Sequence, residues 1–322
     1  MFKKPNCPVI AVEEHYWDKE MSATYVGLES TRPGPQSERL FDLGALRLKE
    51  MDECGIDMQV ISHGAPSAQK LPKDGAAELV RGVNDRLAAA CAANPKRFAA
   101  FAALPTSDPK AAADELERCV TKHGFKGAML HGLANGVFMD GPQFWPIYER
   151  AEQLDVPIYF HPGLPHADVM KAYYDDYAKE FPMVVRAAWG YTVETATTAI
   201  RMVLSGVFDK HPNLKIILGH LGETLPFLVW RIDHAIARPG AAKKISFRDI
   251  FCHNFYITTS GNFSNPALMC CVQEMGVDRI LFAVDWPFVM NPPGVDWMAT
   301  VPLCDEDKAK ILSGNAKKLL RI

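Results

Sequence analysis

Residues 125–162 read FKGAMLHGLANGVFMDGPQFWPIYERAEQLDVPIYFHP. Phe125–His131 is a short apolar run closed by a histidine, and Val156–Pro162 is a second one that ends in His161 and Pro162. Gln143–Leu154, between them, reads as a helix. The two runs are apolar at consecutive positions rather than alternate ones. That is the pattern of strands covered on both faces, and hence of a parallel sheet joined through helices.

The same unit recurs in both directions. Strand-like runs at Pro8–Glu13, Met58–Ser62 and Phe98–Leu104 precede it, and Leu214–His220, Phe255–Gly261 and Arg279–Asp285 follow, making eight. Helices are expected at Leu46–Asp57, Asp74–Pro95 (with Asp74 as N-cap), Asp108–Gly124, Thr192–Phe208, Leu225–Ala237, Asn265–Met275 and Asp305–Arg321. A length of 322 residues fits two domains or one large one. Eight strand–helix units decide for one α/β domain over residues 1–322, a single (β/α)8 TIM barrel. The alternative is an open doubly wound sheet, but no G-x-G-x-x-G follows the first run. Two excursions, Tyr16–Gly44 and Gly163–Tyr191, are too long for ordinary connectors; they read as long loops after strands one and five, over the C-terminal mouth.

Composition narrows the function classes. Hydrophobic residues are 48% and charged residues 23%, as in an ordinary globular protein, not a disordered chain or a disulfide scaffold. A formal net charge of -3 gives no basic footprint, so no nucleic-acid partner is expected. No window approaches ~18 apolar residues, so no membrane span is expected. The N-terminal MFKKPNCPVIAVEEH has lysines but no apolar core for a signal peptide, which points to the cytoplasm. The eight cysteines are scattered without a C-x-x-C pair and read as reduced, mostly buried thiols.

In such a barrel, chemistry sits at the C-terminal ends of the strands. Those ends carry Glu13-Glu14-His15, Ser62-His63, His131, His161, His220 with Glu223, and Asp285. Glu13 and His15 are two apart, so they face one side and Glu14 the other. With His161 and Asp285 they make two imidazoles and two carboxylates, a set that suits Zn2+, Mn2+ or Fe2+ with positions left for water or substrate. Capping carboxylates and core histidines are the plainer reading, which suits any one of these residues better than all four. In GHLGE, Glu223 could fix the tautomer of His220 from the start of the next helix, or simply favour the helix dipole. Arg231, in LVWRIDH, is either an ion-pair partner of Asp233 or a functional arginine. His123 and His211 read as surface residues. Trp17, Tyr25, Tyr173, Tyr174, Tyr177 and Trp189 crowd the excursions, where they could wall a pocket or pack an interface.

E-x-H after strand one, HP after strand five, GH-x-GE-x-LPF-x-x-WRID, ITTSGNF and RILFAVDWPF together resemble the amidohydrolase superfamily. More closely they resemble its non-oxidative aromatic-acid decarboxylases, the branch of γ-resorcylate, 2,3-dihydroxybenzoate and 5-carboxyvanillate decarboxylases. Amino-carboxymuconate-semialdehyde decarboxylase is a more distant likeness. The resemblance runs nearly end to end and includes GVNDRLAAACAANPKRFAAFAALPTSDP. It implies a carboxy-lyase with one divalent ion, Zn2+ or Mn2+, on Glu13, His15, His161 and Asp285. It also implies His220 and Glu223 as an acid/base pair, and Arg231 on the substrate side. The substrate would be a small ortho-hydroxylated aromatic acid and the assembly a homodimer or homotetramer. Direct loss of CO2 would leave an aryl carbanion with no electron sink. Protonation of the ring carbon by Asp285 before CO2 leaves avoids it.

Further substrate-facing candidates are His63, His131, Trp286 and Phe288. The chain departs from the branch at Val289, where Glu is usual, at Gly163, where Arg is usual, and at His131, where Asn is common. These departures suggest another ring substitution pattern. They also leave room for a hydrolase or hydratase acting on a lactone or ring-cleavage product, or for a barrel that only binds.

Overall fold

The computed structural model describes residues 6–240 and 245–322; Lys3 and Lys4 of the N-terminal reading lie outside them. Eight parallel strands follow the chain: β1 (Ile10–Tyr16), β2 (Met58–His63), β3 (Phe98–Ala100), β4 (Ala128–His131), β5 (Ile158–His161), β6 (Ile216–Leu218), β7 (Phe255–Thr258) and β8 (Ile280–Leu281). β1–β2–β3 form one sheet and β4 to β8 the other, each in sequence order. Backbone hydrogen bonds join the sheets at both edges. Ala102 N–H donates to Gly127 O (2.9 Å) and Met129 N–H to Ala102 O (3.1 Å); Val12 N–H donates to Phe282 O (3.1 Å) and Asp285 N–H to Glu13 O (3.0 Å).

One side-chain set from these segments packs as a single cluster: Val12, Val60, Phe101, Met129, Tyr159, Ile217, Leu281 and Ala283, with Leu319 and Leu320 from the C-terminal helix. Each fully buried Val, Ile, Leu, Phe or Met side chain in the set contributes about 1.5–3 kcal/mol. The strands' other faces pack against the helices in a second, larger cluster.

The expected helices appear at Ala45–Glu53, Ala76–Ala93, Pro109–His123, Trp145–Gln153, Gly190–Ser205, Leu225–Ile236 and Asn265–Met275. The last expected helix runs from Asp305 to Leu320 through a π-helical turn at Lys310–Gly314. Asp74 does not cap its helix: Gly75 holds the N-cap at φ 79°. Outside the excursions, the helices Phe247–Asn254 and Asn291–Thr300 escaped the sequence reading. The second has prolines in its first turn, where they break nothing because those N–H groups have no helical acceptor. The excursions are not plain loops. The first carries helices at Lys19–Ser22 and Gly34–Phe41, the second at Ala167–Tyr173 and Asp175–Ala178.

Glu14 fastens one edge of the structure. Buried and facing away from Glu13 and His15, it accepts from Val284 N–H (2.9 Å) and Trp286 N–H (3.1 Å), the residues on either side of Asp285. A glutamine there could accept only one of the two bonds. Glu14→Gln should therefore destabilise the protein by about 1–3 kcal/mol. Thermal unfolding measures this, and an unchanged melting temperature would refute the fastening role.

Candidate active site

The site begins with a bulge in β1. Ala11 pairs with Gln59 but Glu14 pairs with Ile61, so β1 holds one extra residue. Val12 packs in the inner cluster and its neighbour Glu13 also faces the inside. The bulge reverses the side-chain alternation there and brings Glu13 and His15 to the cavity side.

Each ligand-type side chain is held by its non-ligating end. Glu13 Oε2 accepts from the hydroxyls of Tyr159, Ser260 and Thr258, the last at 3.0 Å. His161 Nδ1 lies 2.8 Å from the carbonyl of Pro162, so it donates, and Nε2 keeps its lone pair. His15 Nδ1 meets Ser62 Oγ at 3.1 Å. Gly219 permits this crowding: a Cβ there would sit 2.9 Å from Glu13 Oε2. Asp285, at φ 76°, is held in a left-handed conformation by the bonds around it.

The free ends converge. One ligand atom from each of Glu13, His15, His161 and Asp285 lies within 4.8 Å of every other. His15 Nε2 is 3.1 Å from Asp285 Oδ1, and His161 Nε2 is 3.4 Å from Glu13 Oε1. Glu13 Oε1, His15 Nε2 and Asp285 Oδ1 are buried with no hydrogen-bond partner. Three orphaned buried atoms around one point are costly unless a cation takes their lone pairs. The chain thus presents a four-residue group fit for a divalent ion with N and O preference. Burial, and then the His15 charge, hold the His161 imidazole well below its usual pKa, so it is neutral as a ligand must be. Burial, with Asp285 beside it, raises Glu13. Burial alone would raise Asp285, but His15 and His220 outweigh it and hold the carboxyl below its usual range.

His220 stands beside this group. Residues 220–224 all have positive φ, at 52°, 57°, 75°, 52° and 67°, one continuous left-handed turn. Each non-glycine residue in it costs about 1–2 kcal/mol. The turn is anchored by Leu221 N–H to Thr258 O (2.7 Å) and His220 N–H to Ser260 Oγ (3.0 Å). It places His220 Nδ1 2.8 Å from Glu223 Oε1, and Nε2 3.7 Å from Asp285 Oδ2. Burial disfavours the imidazolium, yet Glu223 and Glu13 outweigh burial and raise the pKa of His220 well above its usual value. The helix begins at Leu225, so Glu223 precedes it rather than opening it.

These residues open onto a cavity of about 400 Å3, lined in part by His161, His220, Asp285, Phe288, Val289, Met183 and Tyr191. The sequence profile of the amidohydrolase family called Amidohydro_2 matches residues 10–322. The chain belongs to the amidohydrolase family. It is 40% identical over 328 residues to a γ-resorcylate decarboxylase of Rhizobium sp. (strain MTP-10005), covering 97% of this chain and 98% of that one. It is similar to a crystal structure of a dihydroxybenzoic acid decarboxylase from Polaromonas sp., which holds manganese and the inhibitor 2-nitroresorcinol. The TM-score is 0.89 and the identity 40%, over 98% of this chain and 97% of that one. A 5-carboxyvanillate decarboxylase from Sphingomonas paucimobilis superposes with a TM-score of 0.90 at 35% identity, over 98% and 100% of the two chains.

In this amidohydrolase the structure brings Glu13, His15, His161, Asp285, His220, Glu223 and Phe288 together and leaves other candidates outside. Trp286 is fully buried facing away from the cavity; its indole N–H donates to Glu50 (2.8 Å) and Arg47 stacks on its ring at 4.1 Å. His63, the last residue of β2, is buried against the first excursion, where Nε2 accepts from Asp18 N–H at 2.9 Å and Nδ1 meets Tyr25 and Gly64. Neither can touch a substrate there. Arg231 is exposed on the outer face of its helix and does not line the cavity. His211 is buried against Glu152 (3.2 Å), not at the surface. His131 is intermediate: its ring is 4.8 Å from that of His161, both its nitrogens lack partners, and it lines a second cavity of about 200 Å3.

None of the six aromatic residues singled out in the sequence (Trp17, Tyr25, Tyr173, Tyr174, Tyr177 and Trp189) lines the main cavity, whereas Tyr191, at the end of the second excursion, does; Tyr173, Tyr177 and Trp189 are more than half exposed. Gly163 has a packing reason: a Cβ there would lie 2.9 Å from Gly132 Cα, so an arginine cannot be seated without moving backbone. Two arginines that the sequence reading missed, Arg32 and Arg186, do line the cavity. Nothing in the sequence sets them apart from Arg39, the other arginine of the excursions.

Proposed function

We propose that this amidohydrolase is a metal-dependent, non-oxidative decarboxylase that turns an ortho-hydroxylated benzoic acid, of the resorcylate or dihydroxybenzoate kind, into the phenol and CO2. The observation that carries the reading is the buried group of Glu13, His15, His161 and Asp285, with three orphaned ligand atoms, opening onto a cavity with an apolar wall. Bound there, a divalent ion such as Mn2+ supplies positive charge to the substrate's carboxylate and ortho oxygen.

The chain's own residues do the rest. Asp285, when protonated, gives its proton to the ring carbon that bears the carboxylate. A C–H bond forms, the C–C bond to the carboxylate breaks, and its electron pair restores the ring as CO2 leaves. His220 stores the next proton beside Asp285 Oδ2, and Glu223 holds the imidazole in that orientation. Phe288, Val289 and Met183 exclude water from the ring.

The two sheets read best as one closed (β/α)8 barrel, a view supported by the bonds at both seams and by the single inner cluster. A homodimer or homotetramer fits the exposed Phe227 and Trp230, which share a helix with Arg231. No helix among the described residues is long and apolar enough to cross a membrane. None of the described cysteines is in a disulfide, which favours a reducing compartment such as the cytoplasm.

A panel of hydroxybenzoates with the manganese-loaded protein tests the reaction. CO2 and the matching phenol should appear from at least one ortho-hydroxylated member and not from benzoate. Release from no member would overturn the assignment.

A further inference from the structure

Tyr159, Thr258 and Ser260 take no part in the chemistry, yet all three end on Glu13. All are fully buried. Tyr159 stands two residues before His161 on β5, so it faces the same side one layer deeper. Thr258 closes β7 and Ser260 follows it, both within the ITTSG stretch. Each hydroxyl has one proton, and each gives it to the same atom, Glu13 Oε2; the bond from Thr258 is 3.0 Å. The hydroxyls also touch one another, with Thr258 Oγ1 2.8 Å from that of Tyr159 and 2.9 Å from Ser260 Oγ.

This divides the carboxylate into two unlike halves. A carboxylate has about four lone-pair sites on its two oxygens, so three donors more than fill one of them. Their positive ends also face any cation that approaches Oε2. Oε1 is the reverse: buried, and without a partner among the described residues. The group has little room to turn, since it packs on Gly219, where a Cβ would lie 2.9 Å from Oε2 and 3.1 Å from Oε1. Asp285 is divided in the same way, with Oδ1 orphaned and Oδ2 3.7 Å from His220 Nε2. With one nitrogen from each histidine, the chain offers an ion four single atoms. An ion of octahedral habit such as Mn2+ takes more donors than that. A Glu13 that gripped with both oxygens would use up one of the places left.

We propose that Tyr159, Thr258 and Ser260 are positioning residues that hold Glu13 to a single-oxygen contact with the ion, and that the place so kept open makes the enzyme select acids with a second donor oxygen ortho to the carboxylate. This rests on the decarboxylase reading for the substrate and adds what in the chain enforces it. Selection for the ortho oxygen is then set from beneath the ion, by side chains that never touch the substrate. Without them Glu13 closes both oxygens on the ion, and a ring with a single donor competes on equal terms.

Tyr159→Phe combined with Thr258→Val removes two of the three donors and keeps the shapes of the side chains. Thermal melting checks folding, and calorimetric titration with Mn2+ measures the ion. The manganese-loaded full chain is then titrated with 2-nitrophenol, whose nitro and ortho oxygens form the pair but which has no CO2 to lose, and with 4-nitrophenol, which carries the same groups apart. The unaltered protein should favour 2-nitrophenol by about tenfold or more. The double variant should bind Mn2+ within about threefold of the unaltered protein, while the preference falls to about twofold or less. A preference that survives the substitutions would overturn the proposal. So would loss of the ion, because the hydroxyls would then merely build the site. If the double variant does not fold, Tyr159→Phe alone should show a smaller loss of preference with the ion retained, and the same two results would overturn it. No preference in the unaltered protein would instead sink the two-oxygen substrate on which the decarboxylase reading depends.

Discussion

Asp285→Asn should keep most of its manganese and lose about 10²–10⁴ in the rate of CO2 release. The asparagine amide oxygen can still face the ligand group from the position of Oδ1, which lies 3.1 Å from His15 Nε2. Asparagine also tolerates the left-handed backbone at φ 76° better than other residues do, so the framework should hold. What it cannot do is carry an acidic proton to the ring carbon. Metal content by emission spectroscopy and single-turnover CO2 release separate the two effects. A variant that stays a competent decarboxylase would show that the acid is another group.

Metal removal should have an equally large effect. A chelator should bring activity to background, and equimolar Mn2+ should restore it. The apo protein should also melt lower. An ion that binds only the folded state at a thousandfold excess over its Kd stabilises it by about 4 kcal/mol, which moves the melting temperature by several degrees. The physical reason is local: Glu13 Oε1, His15 Nε2 and Asp285 Oδ1 are sealed from solvent with nothing to bond to. An enzyme that keeps full activity after chelation, with no metal detected, would refute this use of the four side chains.

The ligand group was legible because two regularities intersect in it. Buried parallel strands are continuous apolar runs, so their ends stand out, and ligand-type residues at those ends are few. Errors came where side-chain direction decides. Ser62 Oγ reaches His15 while His63, one residue on, turns into the first excursion. Asp285 faces the cavity while Trp286 faces Arg47 and Glu50. Strand alternation separates the first pair; the second lies beyond the end of β8, where the left-handed backbone of Asp285 turns the two side chains apart. The bulge in β1 was not foreseeable from the spacing, although the outcome for Glu13 and His15 matched it. Arg32 and Arg186 were out of reach because they meet only through the folding of two distant excursions. Five consecutive left-handed residues at 220–224 were equally hidden, since only Gly222 among them favours that conformation by itself.

The clasp of Glu14 on Val284 and Trp286 joins residues 270 and 272 positions apart. Three of the four ligand side chains belong to the first half of the chain, and the fourth arrives only when this clasp closes. A nascent chain emerging from the ribosome therefore cannot assemble the full chelate until its last strand is made and docked. Capture of the metal by all four side chains is then a late event, one that follows the docking of the last strand.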